Sequence, residues 1–123
     1  MTSNSVGWFE IYVQDMDRAR QFYEAVFSVR LERLDSPDIE MLGFPMRPGQ
    51  PGAPGALVRM EGFSPGGNGT IVYFSCEDCS IEAARAGAGG GKVFKDKFSI
   101  GQHGFIALVG DTEGNMIGLH SLR

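Results

Sequence analysis

What this chain of 123 residues lacks narrows its possible roles first. No apolar run approaches the roughly 20 residues that a membrane-spanning helix needs, so no membrane partner is expected. Lysine and arginine number 11 against 15 aspartates and glutamates, and the 11 are scattered. Without a basic footprint, nucleic acid is not an expected partner either. The opening residues Met1-Thr2-Ser3-Asn4-Ser5 hold neither the basic nor the apolar region of a secretory leader, which makes a cytoplasmic protein the expectation. Histidine is nearly absent, at two residues, and so is cysteine. Cys76 and Cys79 form a CxxC, but His103 and His120 stand too far off to complete a regularly spaced zinc site. A redox pair would place a cysteine at a helix start, a position open to Cys79. Cys76, however, shares the inward face of its strand with Val72 and Phe74, so two reduced thiols are the simpler reading.

Glycine, by contrast, is plentiful, at 18 residues, and it is clustered. The clusters are Pro48 to Gly55, Pro65 to Gly69 and Gly87 to Gly91. Such density makes turns and loops rather than element interiors. The middle cluster, next to Glu61 and Phe63, reads as a linker between two modules.

Those modules repeat one phrase. Phe9 to Val13 alternates as a strand, reaches Asp15 and Asp17, and runs into a helical stretch containing Phe22 and Tyr23. Val72 to Cys76 does the same, reaching Asp78 and Ser80 before Ile81 to Arg85. The offset is constant, 78 − 15 = 63 and 80 − 17 = 63. In the first strand, expected at 6–14, Phe9, Ile11 and Val13 take one face and Trp8, Glu10 and Tyr12 the other. Asp15 or Asp17 offers the side-chain acceptor of a helix start, and Ala19, Phe22, Tyr23 and Val26 form a stripe expected to face the core. Further strands are expected near 28–34, 38–45 and 56–61. The second module repeats the order: a strand at 70–77, a helix at about 79–87 ended by Gly87, and strands near 91–95, 104–110 and 115–121. Asp111 to Asn115 joins the last two, with Gly114 supplying positive φ. Each half is βαβββ, an α+β arrangement whose mixed sheet carries its helix on one face. The expected division is module one at about 5–62, a linker at about 63–69 and module two at about 70–123. A hollow where two such modules meet is the expected ligand site.

The phrase Trp8-Phe9-Glu10-Ile11-Tyr12-Val13-Gln14-Asp15, followed by Ala19-Arg20-Gln21-Phe22-Tyr23 and Val26-Phe27, resembles the vicinal oxygen chelate superfamily of glyoxalase I, bleomycin-resistance proteins and extradiol dioxygenases. Asp111-Thr112-Glu113-Gly114-Asn115-Met116-Ile117 resembles that family's closing hairpin, and Ser28 departs from the glycine common after its first helix. The resemblance implies two βαβββ modules forming a cup-shaped mixed sheet, a homodimer, and in the family's enzymes a divalent metal held by His, Gln or Glu from the first and last strands of each module.

Carried over one position at a time, the four metal-ligand sites fall on Trp8, Arg59, Ile71 and Gly118. None offers a side-chain lone pair to a cation. A slip of two residues, which preserves a strand face, brings Glu10, Tyr73 and His120 into view, of which only Glu10 and His120 are good ligands. The usual metal site therefore reads as lost, and no cofactor is expected.

In its place Trp8, Glu10, Tyr12, Arg59, Tyr73 and His120 are expected to face the cup and to hold a small organic ligand, aromatic walls supplying area and a Glu–Arg pair supplying orientation. Arg59 is expected over Trp8 as a cation–π contact, or paired with Glu10 or Glu61; Glu10 and Arg59 neutralising one another would equally serve a cup that is simply filled. His120 is the natural proton carrier near neutral pH, and His103 sits in a loop placed to cover the cup. Three readings stand: a metal-free binding or resistance-type protein in front; a metal-dependent glyoxalase-like lyase or isomerase using Glu10 and His120; and an interaction module with a filled cup. Whether any reaction is catalysed, and on what ligand, is left open by the residues.

Overall fold

The computed structural model describes residues 4–113 and 115–123, and its chain divides into two compact units, Trp8–Thr70 and a second made of Ile71–Arg123 together with the residues up to Gly7. Each is taken by itself.

The first unit contains most of β1 (Val6–Tyr12), then α1 (Met16–Phe27), β2 (Glu32–Arg33), β3 (Glu40–Gly43) and β4 (Gly55–Arg59). Its strands lie in the order β2-β3-β4-β1, with β1 parallel to β4 and the other neighbours antiparallel. Helix α1 begins where Asp15 accepts from the Arg18 N–H at 3.0 Å, the capping that a short acidic side chain before an apolar stretch provides. It ends at Ser28, which holds φ 52 and ψ 48. Under the helix, Val13, Met16, Leu31, Leu42 and Leu57 form the core, with Ile11, Ala19 and Tyr23 packed against it. Leu57 is wholly buried, and cutting such a side chain to alanine typically costs about 2–5 kcal/mol. The expected helical stripe is only half right. Ala19 and Tyr23 face the core, whereas Phe22 and Val26 are 59% and 55% exposed. An apolar stripe at three- and four-residue spacing is wider here than the part of the helix that packs on the sheet, so its outer positions stay in water.

The second unit contains β5 (Thr70–Ser75) but for its first residue, then α2 (Cys79–Ala88), β6 (Lys92–Ser99), β7 (Phe105–Gly110) and β8 (Met116–Ser121), with a 3-10 turn at Gly101–His103. The order is β5-β8-β7-β6, with β5 parallel to β8. Here too the repeated aspartate is the cap: Asp78 accepts from Ser80 N–H at 3.1 Å and from its hydroxyl at 2.7 Å. Cys79, Ala83, Ala107, Val109 and Leu119 make the core beneath α2, with Phe74 and Cys76 beside them. The helix does not stop at Gly87, as expected, but runs to Ala88 with Gly89 as its cap, and the Gly89 N–H returns to Arg85 O at 2.8 Å. The closing hairpin is held by Asp111, whose Oδ1 accepts from Glu113 N–H at 2.8 Å and Asn115 N–H at 2.9 Å. The positive φ expected of Gly114 lies outside the described residues.

Both halves are therefore βαβββ, and the fold class is α+β as the repeat implies. Strand pairs are shorter than expected at 28–34, where only Glu32 and Arg33 are paired, and longer at 91–95, where β6 continues to Ser99.

Candidate functional site

In the first unit the face of β1 turned away from α1 carries Trp8, Glu10 and Tyr12. Alternation fixes this, because Ile11 and Val13 are committed to the helix side. The three side chains form one hydrogen-bonded group: Trp8 Nε1 donates to Glu10 Oε2 at 3.1 Å, and Tyr12 OH donates to Glu10 Oε1 at 2.9 Å. Glu10 is 8% exposed, so its carboxylate sits among fixed donors rather than in open water. Burial, then the adjacent Glu10 charge and the hydrogen bond to it, push the Tyr12 phenol far above its ordinary value. Tyr12 thus remains a proton donor throughout the pH range in which proteins work. Phe63, from the glycine-rich segment, stacks on Tyr12 with ring centroids 5.1 Å apart. Half-buried Trp8 and Phe63 flank the buried Glu10 and Tyr12.

Arg59 does not join this group. The parallel register sets Glu10 opposite Ala56 and Tyr12 opposite Val58, which puts residue 59 in line with Val13 on the helix side. Its guanidinium Nε donates to Gln14 O at 3.1 Å, and the side chain borders a small polar hollow of about 300 Å³ with Asp15, Asp17 and Glu40. The expected stacking over Trp8, and the expected pairing with Glu10, are thereby corrected. A strand slip of one residue moves a side chain to the other face, and the glycine-proline loop before β4 hid its register. The β4 positions that do share the face of Glu10, Ala56 and Val58, are apolar and buried.

The remaining two expected residues belong to the second unit. Tyr73 and His120 lie on the face of their strands opposite α2, since Phe74 and Leu119 face the helix. Tyr73 is paired with Gly118, and its ring lies over that glycine so closely that a Cβ there would overlap it. His120 approaches the His103 carbonyl at 2.6 Å through Nε2. A carbonyl only accepts, so Nε2 carries the proton. The loop of His103 thus reaches His120 through its backbone, while the His103 side chain is exposed.

These placements do not suit the divalent metal that the resemblance brings with it. Trp8 gives its one N–H to Glu10, Ile71 and Gly118 have no lone pair, the Tyr73 ring covers Gly118, and Arg59 is a cation on the other face. His120 Nε2 is held by a carbonyl, and among the described residues no group of three or more His, Cys, Asp or Glu is placed to hold an ion.

Cys76 and Cys79 are both free thiols. Burial and the neighbouring Glu82 push the Cys76 thiol up to about 11, the reverse of the lowering a reactive CxxC needs. Cys79 is fully buried, and its N–H donates to Ser121 Oγ at 3.0 Å.

The comparisons with known proteins bear on this geometry. Residues 6–45 match the family described as bleomycin resistance protein-like N-terminal, a span that includes β1, α1 and the Trp8–Glu10–Tyr12 group. Among solved structures, a Streptomyces coelicolor methylmalonyl-CoA epimerase in complex with 2-nitronate-propionyl-CoA is similar over 96% of this chain and 94% of its own, at 17% identity and a TM-score of 0.66. The fold is that of the vicinal oxygen chelate superfamily. A Mycobacterium tuberculosis methylmalonyl-CoA epimerase shares this vicinal oxygen chelate fold at 16% identity, over 97% of this chain and 88% of its own, with a TM-score of 0.63. A Bacillus halodurans hypothetical protein is similar over 99% and 96% of the two chains, at 12% identity and a TM-score of 0.71. No curated protein sequence is significantly similar to this one.

Phe63 is the residue that sequence reasoning missed. The signal was present, an aromatic beside a glycine-rich linker, but nothing in the periodicity tied it to Tyr12.

Proposed function

We propose that this chain is a small-molecule-binding protein of the glyoxalase/bleomycin-resistance type that works without the family's metal, its ligand held against Trp8, Glu10 and Tyr12. One observation carries the reading: two neutral donors, an indole and a phenol, fix both oxygens of a buried carboxylate between aromatic rings. Orienting a carboxylate by preformed hydrogen bonds lowers the ordering cost of binding, and half-buried aromatic rings supply contact area. Support from the relatives is of a general kind, since the Streptomyces coelicolor epimerase is solved with 2-nitronate-propionyl-CoA. Tyr73 and His120 are proposed as ligand-binding residues on the sheet face of the second half. Arg59 is proposed to act at one remove, by fixing the Gln14 carbonyl at the end of β1. The protein is further proposed to be a cytoplasmic homodimer, a reading supported by its two free thiols and by exposed Val26 and Phe27 on α1.

A thermal-shift screen of small organic compounds, with metal analysis of the purified protein, tests the proposal. The expected result is a ligand that raises the unfolding midpoint of the metal-free protein, with affinity reduced about tenfold or more in Glu10→Gln. Stoichiometric bound metal that is lost in Glu10→Ala would instead establish a metal-dependent lyase or isomerase. A screen in which nothing raises the midpoint would leave an interaction module with a filled interior.

A further inference from the structure

The first unit holds a cavity of about 470 Å³ that the sheet-face site does not use. Its volume falls within the range of small-molecule sites. Three segments border it: Ile11 to Asp15 at and just after the end of β1, the first two turns of α1, and the Pro65–Thr70 segment. Each wall has a distinct chemistry.

On the helix wall, Phe22 is 59% exposed, with its ring edge-to-face against Tyr23 at 5.1 Å. The core beneath α1 is complete without it, being built from Val13, Met16, Leu31, Leu42 and Leu57. An aromatic side chain left largely in water on a cavity wall is thus available to a ligand rather than required by the fold. The Pro65–Thr70 segment lines the hollow largely through glycines, Gly66, Gly67 and Gly69. Gly66 and Gly67 hold φ 75 and φ 48, and a Cβ at either would meet nothing within 4 Å. That wall is nonetheless fixed, because Gly69 N–H donates to Gly66 O at 2.7 Å and Gly69 O accepts from Tyr12 N–H at 2.6 Å. A bare backbone segment and an exposed aromatic ring that line the same hollow leave room there for something flat.

The slot also has a charge. Arg18, one turn before Phe22 on the same helix flank, borders the cavity with its side chain 71% exposed. Its ion pair to Asp15 is long, 4.0 Å, and solvent-exposed on both sides, so it contributes little. Asp15 is committed elsewhere, its Oδ1 capping the helix at the Arg18 N–H. A guanidinium so placed is a ready bidentate partner for a carboxylate.

We propose that this cavity is a second binding site, taking a flat aromatic carboxylate whose ring lies between Phe22 and the glycine wall and whose carboxylate pairs with Arg18. It does not depend on the ligand reading given above for Trp8 and Glu10, although Tyr12 borders both places.

The chain's one tryptophan makes the test selective, since the Trp8 indole N–H reports on the sheet face alone. The probes are 2-naphthoate, its neutral amide and 2-naphthylmethylammonium, titrated into the full chain and followed by amide and indole NMR shifts. The expected result is saturable binding of naphthoate that shifts Gly66, Gly67 and Gly69 while the Trp8 indole stays in place. Phe22→Ala should weaken that binding about tenfold, as loss of a stacking ring does. Arg18→Gln should abolish the preference for naphthoate over the amide. Both side chains are exposed, so neither variant threatens folding. Equal binding of all three probes, shifts centred on the Trp8 indole, or no saturation by naphthoate at millimolar concentration would each overturn the proposal.

Discussion

Ser28 closes α1 in the left-handed region, at φ 52 and ψ 48, where a side chain with a Cβ costs about 1–2 kcal/mol. The residue is exposed, and its backbone N–H caps Glu24 O. Nothing but its conformation therefore distinguishes it from the glycine usual at such an ending. Ser28→Gly is expected to raise the free energy of unfolding by up to about 1 kcal/mol, after the larger chain entropy of glycine is offset. Chemical denaturation with unchanged slope would register this, and a lowered midpoint would refute it. A second residue-scale expectation concerns Asp78. Hydrogen bonds from Ser80, then from Lys97, hold its carboxyl at about 2, below the ordinary value of 3.8. The folded value is depressed, so the stabilisation is present above pH 3.8 and is lost as pH falls from there toward 2. In Asp78→Asn the fall in stability across that window should be shallower than in the parent. Equal slopes in acid unfolding would show that the carboxylate is not tied to the native state.

At the scale of elements, β6 is the outer strand of its sheet and the only place in the chain where lysine occurs, at Lys92, Lys95 and Lys97. Each lysine sits over a phenylalanine ring: Lys92 over Phe94 at 5.4 Å, Lys95 over Phe98 at 4.1 Å and Lys97 over Phe105 at 4.7 Å. The pairing with β7 is interrupted twice, between Val93 and Lys95 and between Lys95 and Phe98. Lysines and irregular pairing on an outer strand both oppose edge-to-edge association of chains. Lys95 stands at the centre of the device. Lys95→Val should leave the fold intact but lower the temperature at which light scattering rises, whereas Lys95→Arg should not. Unchanged scattering in the valine variant would remove β6 as a guard.

Elements were also where the sequence was most legible. Repeated aspartates at an offset of 63 gave both helix starts, because a capping carboxylate acts through its immediate neighbours alone. Faces along β1 were legible for the same reason, Trp8, Glu10 and Tyr12 being set by alternation within one strand. Arg59 was not legible, since its face depends on where β4 enters the sheet after a loop rich in glycine and proline. Phe22 and Val26 were misplaced because spacing shows which side of a helix is apolar, not how much of it a neighbouring sheet will cover. The cavity beside Phe22 was beyond reach altogether, being assembled from three separate segments, one of them nearly featureless in side chains.

For the molecule as a whole, the decisive fact is how β1 is shared. Residues up to Gly7 are counted with the second unit and Trp8 onward with the first, although one strand runs unbroken from Val6 to Tyr12. Ser5 O accepts from Ser75 N–H at 2.9 Å, which ties the approach to that strand to the second half. Tyr12 N–H, at the other end, is bonded to Gly69 O within the first half. A strand cannot leave one unit without pulling on the other, so the two should unfold as one despite their separate cores. Two built-in probes report on the halves independently. Trp8 belongs to the first, and its indole donates to Glu10, so its fluorescence follows that half. Cys79 belongs to the second and is fully buried, so its reaction with a thiol reagent follows the other. In urea the two signals are expected to give a single midpoint and a common slope. Separate midpoints would mean that each βαβββ half holds itself together, and that the shared strand transmits nothing between them.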